Sequence, residues 1–197
     1  MRTAPGRRGF LASALALVLG TRVADAREVE GVDLPDEVRL AQDTPPLRLV
    51  GAGVFRFFFL RYYVCGLYLA EGVSGAEAAV RTDRPRRVGL VALRRISAFE
   101  FLWGLDRGLA DNTSEQELKE LAPLLEALRS AIRGIGTLAA GARVGIDYLP
   151  GTGTRIVVDN QIRGGPIVGK ALNDALIKVW IGQRPLDTSL KDLLLGG

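Results

Sequence analysis

The sequence predicts an α+β protein in which a large, mostly antiparallel sheet is covered by a layer of helices. Aromatic and β-branched residues, which favour strands, fill residues 51–71. Two S-x-x-E capping boxes, at residues 97–100 and 114–117, each open an apolar stretch with helical spacing. The turn sequence P-G-T-G at residues 150–153 separates two short apolar runs, which is typical of a β-hairpin. Helices grouped within a series of strands favour α+β over a doubly wound sheet.

The first 26 residues have the pattern of a secretory signal peptide. Three arginines precede an apolar run over residues 10–20, and a small-x-small sequence occupies residues 24–26. We predict cleavage before Arg27, which leaves residues 27–197 as one domain exported to the periplasm. The pair Arg7 and Arg8 also fits a twin-arginine signal. The alternative is an uncleaved membrane anchor, but the apolar run is shorter than the roughly 20 residues that span a bilayer.

Composition excludes several classes of function. The leader holds four arginines and one aspartate, so it supplies +3 of the net charge of +4, and the mature chain is near +1. A nucleic-acid-binding protein would carry a clustered basic face. The sequence has no histidine and one cysteine, Cys65, which excludes histidine-based triads, the common zinc and iron sites and an internal disulfide. We expect no metal and no cofactor.

The stretch over residues 51–71 is apolar at both odd and even positions, which predicts one long central strand covered on both faces. Arg56 and Tyr63 are among its few polar side chains. A buried arginine or tyrosine hydroxyl needs a hydrogen-bond partner. Two interpretations stay open: a structural strand, or the floor of a pocket in which these groups bind a ligand.

The other elements follow from the same signals. Pro123 lies inside the second capped segment and predicts that this helix is kinked or split. The predicted sheet has about six strands, near residues 37–41, 47–50, 51–71, 87–93, 143–149 and 154–158, and the predicted helices cover about 97–111, 114–133, 169–181 and 190–195.

Several motifs agree in order and spacing with a known family. They are V-E-G-V-x-L-P from residue 29, G-A-G-V from residue 51, Y-V-C-G-L-Y-L from residue 63, D-Y-L-P-G-x-G-T from residue 147 and W-I-G-x-x-P from residue 180. Together they resemble the exported bacterial branch of the chalcone isomerase-like proteins, over essentially the whole mature chain. The resemblance implies a large sheet, a helical layer and a cleft between them. The family includes plant enzymes that close a chalcone to a flavanone and plastid relatives that bind fatty acids without catalysis.

The resemblance also implies which site residues are kept. The enzymes have an arginine directly after the G-x-G-x motif, where this chain has Phe55, and Arg56 follows one residue late. One step along a strand turns a side chain to the other face, unless a bulge compensates. Tyr63 stands where the enzymes have threonine and the fatty-acid binders have tyrosine.

Other polar positions of the enzymes are mostly lost. Asn112 matches an asparagine of the helix pair, although asparagine is also common at helix ends. Leu105 replaces a tyrosine, and Val168 replaces a later threonine or serine. Ring closure needs groups that hold a phenolate and polarise a ketone, and this set is depleted. We therefore assign no catalytic residue, and take Arg56, Tyr63 and Asn112 as the candidate ligand-binding residues.

Three functions remain open on the sequence. The favoured one is a non-catalytic periplasmic protein that binds a small apolar or amphipathic molecule, such as a fatty acid, in a cleft between sheet and helices. The second is a cofactor-independent isomerase of the intramolecular lyase type. The third is a structural or interaction module whose cleft is filled by its own side chains. An open apolar cavity with Arg56 or Tyr63 at its wall would favour the first over the third.

Overall fold

The computed structural model describes residues 26–197. The predicted signal peptide, residues 1–26, lies outside the described residues apart from Ala26, which begins the first strand. In the described part of the chain, no helix has the length and apolar character needed to cross a bilayer.

The main sheet has seven strands, all paired antiparallel. Its strands are β3 (Glu37–Val38), β4 (Leu47–Phe57), β5 (Leu60–Leu69), β6 (Arg86–Ala92), β9 (Arg143–Leu149), β10 (Gly153–Val158) and β11 (Gln161–Ile167). Their order across the sheet is β11-β10-β9-β6-β5-β4-β3. Two small two-stranded sheets accompany it, formed by β1 (Ala26–Val29) with β2 (Val32–Pro35) and by β7 (Ile96–Ser97) with β8 (Thr137–Leu138).

Helices cover one face of the sheet. They are α1 (Ala76–Arg81), α2 (Ala98–Asn112), α3 (Glu115–Ile135), α4 (Lys170–Ile181) and α5 (Thr188–Leu194). Alternate residues of β5, from Tyr63 to Leu69, pack against the helices in the main core, whereas Val64 packs on the other face beneath the β1–β2 hairpin. Both predicted capping boxes are formed, so α2 and α3 begin where the sequence placed them.

The prediction of one long strand over residues 51–71 is wrong. The chain turns at Phe58 and Phe59, and the stretch forms the β4–β5 hairpin, whose tip is exposed instead of covered. The apolar character of both faces concealed the turn, because it contains no glycine, proline or asparagine.

Of the two outcomes expected at Pro123, the split is wrong, because helix α3 is continuous from Glu115 to Ile135. A kink at Pro123 stays a prediction. Proline cannot bond to the carbonyl four residues earlier, and Lys119 is exposed, so water can reach that group. Strand β11 was not predicted, because its sequence Q-I-R-G-G-P-I lacks strand character. It lies at the edge of the sheet, where proline is tolerated. The predicted α+β class, with a mostly antiparallel sheet under helices, is confirmed.

Candidate functional site

An open cavity of about 450 Å³ lies between the β4–β5 hairpin and helices α2 and α4. Its wall is mainly aromatic and aliphatic. The lining side chains include Phe55, Phe57, Tyr62, Tyr63, Ile96, Phe99, Phe101, Trp103, Leu105, Val179, Trp180 and Leu186. The volume falls within the roughly 300–1,000 Å³ typical of small-molecule sites. The cavity is therefore open, as the ligand-binding hypothesis requires. The filled-core hypothesis expects the protein's own side chains to fill it.

A β-bulge brings two neighbouring tyrosines to the same cavity. Phe55 pairs with Tyr63, and the next residue of β4, Arg56, pairs with Arg61, so Tyr62 is an extra residue on β5. In a regular strand Tyr62 and Tyr63 would point to opposite faces. The bulge re-aims one of them, and both line the cavity.

Helices α2 and α4 close the other side. The first turns of α2, fixed by its capping box, place Trp103, Gly104 and Leu105 along the wall. A Cβ atom built at Gly104 would meet no atom within 4 Å, so this glycine leaves part of the cavity open. The last turn of α4 supplies Val179 and Trp180, both buried.

Tyr63 gives the cavity a buried hydrogen-bond donor. Its hydroxyl accepts a bond of 3.1 Å from the indole Nε1 of Trp180. This is the only hydrogen-bond partner of the hydroxyl within residues 26–197, so the protein itself gives the Tyr63 proton no acceptor. Burial, the largest cause, raises the pKa of Tyr63 far above its ordinary value. The hydroxyl is therefore protonated at any physiological pH and acts as a donor.

Two arginines lie against aromatic rings of the cavity wall. Arg107 lines it, with its guanidinium 5.9 Å from the centre of the Trp103 ring and 3.9 Å from the carboxylate of Asp111. Arg94 lies 4.8 Å from the ring centre of Tyr62. Arg107 was not predicted from the sequence as a cavity residue. The sequence could have indicated Arg107 through its spacing of four residues from Trp103, which puts both side chains on one face of a helix.

Of the three candidate ligand-binding residues, only Tyr63 lies at this cavity. The exposed Arg56 is on the opposite face of the sheet, where it binds a carboxylate oxygen of Glu30 at 2.7 Å. The bulge falls on β5, so it does not turn Arg56 inward. Val168, the position of a lost hydroxyl residue, is also exposed.

Asn112 is engaged by the protein backbone. Its amide nitrogen donates to the carbonyls of Gly108 and Arg184, and its oxygen accepts from the Arg184 amide at 2.9 Å. It ties the end of α2 to the loop after α4 and borders a separate, more polar groove. Asn112 therefore has a structural role at the end of a helix, which the sequence analysis gave as the alternative. Its role in ligand binding stays a prediction. In residues 26–197 no three His, Cys, Asp or Glu side chains are grouped as metal ligands.

Comparison with known proteins gives a matching family and a similar solved fold. A family model described as "Chalcone isomerase-like" matches residues 26–196. No curated protein sequence matches the chain. The crystal structure of a fatty-acid binding protein of Arabidopsis thaliana is similar in fold, with a TM-score of 0.61 and 14% identity over 84% of this chain and 92% of the plant protein. The family model spans nearly every described residue and the solved fold agrees with it, so the chain belongs to the chalcone isomerase-like family.

Proposed function

We propose that the protein binds an apolar molecule with a polar end, such as a fatty acid, in the aromatic cavity, and that it does so without catalysis in the periplasm. One observation carries the proposal: the cavity is large, apolar and open, and contains a buried hydroxyl with a proton to donate. The likeness in fold to a fatty-acid binding protein supports the same class of ligand. The export signal predicted in residues 1–26 supports the location.

The polar groups suggest how such a ligand lies. An ionised carboxylate is strongly disfavoured in an apolar interior, so we place it at the rim, beside the exposed Arg107. A guanidinium forms strong, charge-assisted bonds to a carboxylate. The chain then runs inward along Phe55 and Leu105. Tyr63 lies further inside and donates to a second oxygen where the ligand has one, so an oxygenated fatty acid binds more tightly than a plain one.

The proposal excludes catalysis because polar groups of the family's enzymes are replaced at the wall or point away from it. Closing a chalcone requires one group to hold a phenolate and another to polarise a ketone. Leu105 occupies the helix position where the enzymes have a tyrosine, and Arg56 points away from the cavity. Among the described residues that line the cavity, Tyr63 is the one whose buried hydroxyl has a proton without an acceptor.

The test is to fill the cavity. Gly104→Leu projects a side chain into open space, and replacing a helical glycine by leucine also stabilises the helix, by about 0.5–1 kcal/mol. We expect the variant to fold and to bind palmitate at least about tenfold more weakly. Native mass spectrometry of the exported protein measures the bound lipid, and the protein mass shows whether the chain begins at Arg27.

Gly134→Leu is the matched control. Gly134 is also inside a helix, meets no atom within 4 Å and does not line the cavity. It should gain similar stability and bind palmitate like the wild type. Equal palmitate binding by the Gly104→Leu variant, or rapid flavanone formation by the wild type, would refute the proposal.

A further inference from the structure

The tip of the β4–β5 hairpin is an exposed aromatic surface. We call Phe57, Phe58, Phe59 and Leu60 the aromatic tip. Phe58 is 79% exposed and Phe59 is 96% exposed, and Leu60 is half exposed. The rings touch each other, with centres 4.7 Å apart for Phe57 and Phe58. Contiguous exposed apolar groups of this kind mark surfaces that contact another molecule.

The backbone of the turn does not favour a phenylalanine. Phe58 has a φ of 53°, in the left-handed region where bulky side chains are disfavoured and glycine or asparagine is preferred. A more stable turn would therefore lack this ring. Backbone conformations held against local preference are concentrated at functional positions, so the ring has a use outside the folded core.

The aromatic tip is continuous with the mouth of the cavity. The rings of Phe57 and Trp103 are 5.5 Å apart, and both residues line the cavity. Phe99, at the start of α2, lines the same opening and is 78% exposed. An apolar path therefore leads from the tip into the chamber.

Positive charge flanks the aromatic tip on the side away from the cavity. Arg56 and Arg61 precede and follow it and share one carboxylate, that of Glu30, at 2.7 and 2.6 Å. Two guanidinium groups against one carboxylate leave one positive charge. Arg95, also exposed, follows β6 at this end of the sheet, where the Leu93 amide bonds to the Tyr62 carbonyl. Arginine binds phosphate groups through strong charge-assisted bonds.

We infer that the aromatic tip docks on an anionic lipid bilayer. The rings of Phe58 and Phe59 enter the boundary between head groups and acyl chains, where apolar area and basic residues both add to binding. The arginines contact the lipid phosphates, and the mouth of the cavity faces the lipid. Docking goes beyond the proposed function and needs no ligand in the cavity, so the two are tested separately.

The experiment measures flotation with vesicles of phosphatidylcholine containing phosphatidylglycerol, against vesicles of phosphatidylcholine alone. It uses residues 26–197, which contain every described strand and helix and the whole family match, so the apolar run at residues 10–20 does not contribute. The test variant is Phe58→Asn with Phe59→Ser. Asparagine suits the left-handed turn, so thermal unfolding should occur at an unchanged or higher temperature. Val168→Ser is the matched control, since Val168 is 68% exposed and outside the aromatic tip.

We expect the wild type and the Val168→Ser variant to bind the anionic vesicles equally, and the tip variant to bind at least about tenfold more weakly. Omitting phosphatidylglycerol should weaken the wild type by a similar factor. Undiminished binding by the tip variant, equal binding to both kinds of vesicle, or no binding by the wild type would overturn the inference. Dimers that depend on the aromatic tip in sedimentation, without vesicle binding, would also overturn it and assign the surface to a second copy of the chain.

Discussion

The two ends of helix α4 face opposite kinds of interior. Its last turn contributes Val179 and Trp180 to an open apolar cavity. Its first turns contribute Asn173 and Asp174 to a closed polar network around Arg86. Strands β5 and β6 run between the same two regions. Tyr63 pairs with Ala92 at the cavity end, and Leu69 pairs with Arg86 at the network end.

The polar groups at the network end are satisfied. Arg86, which is 2% exposed, donates to Asn173 at 2.7 Å, to the carboxylate of Asp174 at 2.5 Å and to the carbonyls of Ala79 and Val80. It thereby joins α1, β6 and α4. A buried guanidinium is tolerated only when its donors find partners in this way.

The cavity end leaves donors and volume unused. The Tyr63 proton has no acceptor within the described residues, and about 450 Å³ stays open. The same helix thus holds the fold together at one end and leaves room for a ligand at the other. Substitutions at the network end should act on stability, and substitutions at the cavity end mainly on binding.

The largest effect is expected for Arg86→Met. The change leaves the Asn173 side-chain oxygen and the Ala79 carbonyl without their donor. Asp174 and the Val80 carbonyl each lose one partner and keep Lys170. Breaking a buried pair from one side costs about 3 kcal/mol or more, which urea denaturation would measure.

Arg81→Met is the control for this change. Arg81 is the last residue of α1, a helix that Arg86 contacts, and the side chains of Arg81 and its partner Glu77 are both exposed. Such pairs contribute about 0.5 kcal/mol or less. If Arg86→Met unfolds at the same urea concentration as Arg81→Met, the polar network does not stabilise this end of the molecule.

Tyr63→Phe should give an intermediate effect at the cavity end. At neutral pH the variant leaves the Trp180 indole N–H without a partner, at a cost of about 1–2 kcal/mol in unfolding free energy. In lipid binding it should lose the preference of the wild type for hydroxylated palmitate over palmitate. If the preference persists, the Tyr63 hydroxyl does not contact the ligand.

The same variant has a characteristic pH dependence. Burial raises the pKa of Tyr63 in the folded protein. Above the unfolded value of about pH 10, the unfolded chain loses this proton and the folded one keeps it, so the wild type loses about 1.4 kcal/mol per pH unit through this group. Phenylalanine has no proton to lose. The stability advantage of the wild type over Tyr63→Phe is therefore complete below pH ~10 and shrinks as pH rises, as urea denaturation at several pH values would show.

Most of the fold could be predicted from the sequence because its signals are local. The capping boxes at Ser97 and Ser114 are formed, and the hairpin at residues 150–153 joins β9 and β10. The predictions that failed concern features that depend on the position of a segment in the sheet. Propensity alone cannot show that β11 is an edge strand, or that Phe58 occupies a turn.

The site was harder to predict because one shift in register decides which side chains enter the cavity. Tyr63 was named from the sequence and lies at the cavity, while its binding of a ligand stays a prediction. The bulge that adds Tyr62 to the wall leaves no pattern in the sequence. The network was missed for a similar reason. Arg86 follows a basic loop in the sequence, and nothing there indicates that Asn173 and Asp174 lie beside it.

The smallest effect is expected for Arg56→Gln. Its pair with Glu30 is partly exposed, so the change should alter the free energy of unfolding by about 0.5 kcal/mol or less. Palmitate binding in solution should not change, since Arg56 lies on the face away from the cavity. Arg107→Gln is the informative partner variant, because Arg107 stands at the rim. Titration of both variants with palmitate separates the roles of the two arginines. Weaker binding by Arg107→Gln alone supports a carboxylate held at the mouth of the cavity. Weaker binding by Arg56→Gln alone would instead place the ligand at Arg56, the site that the sequence first indicated.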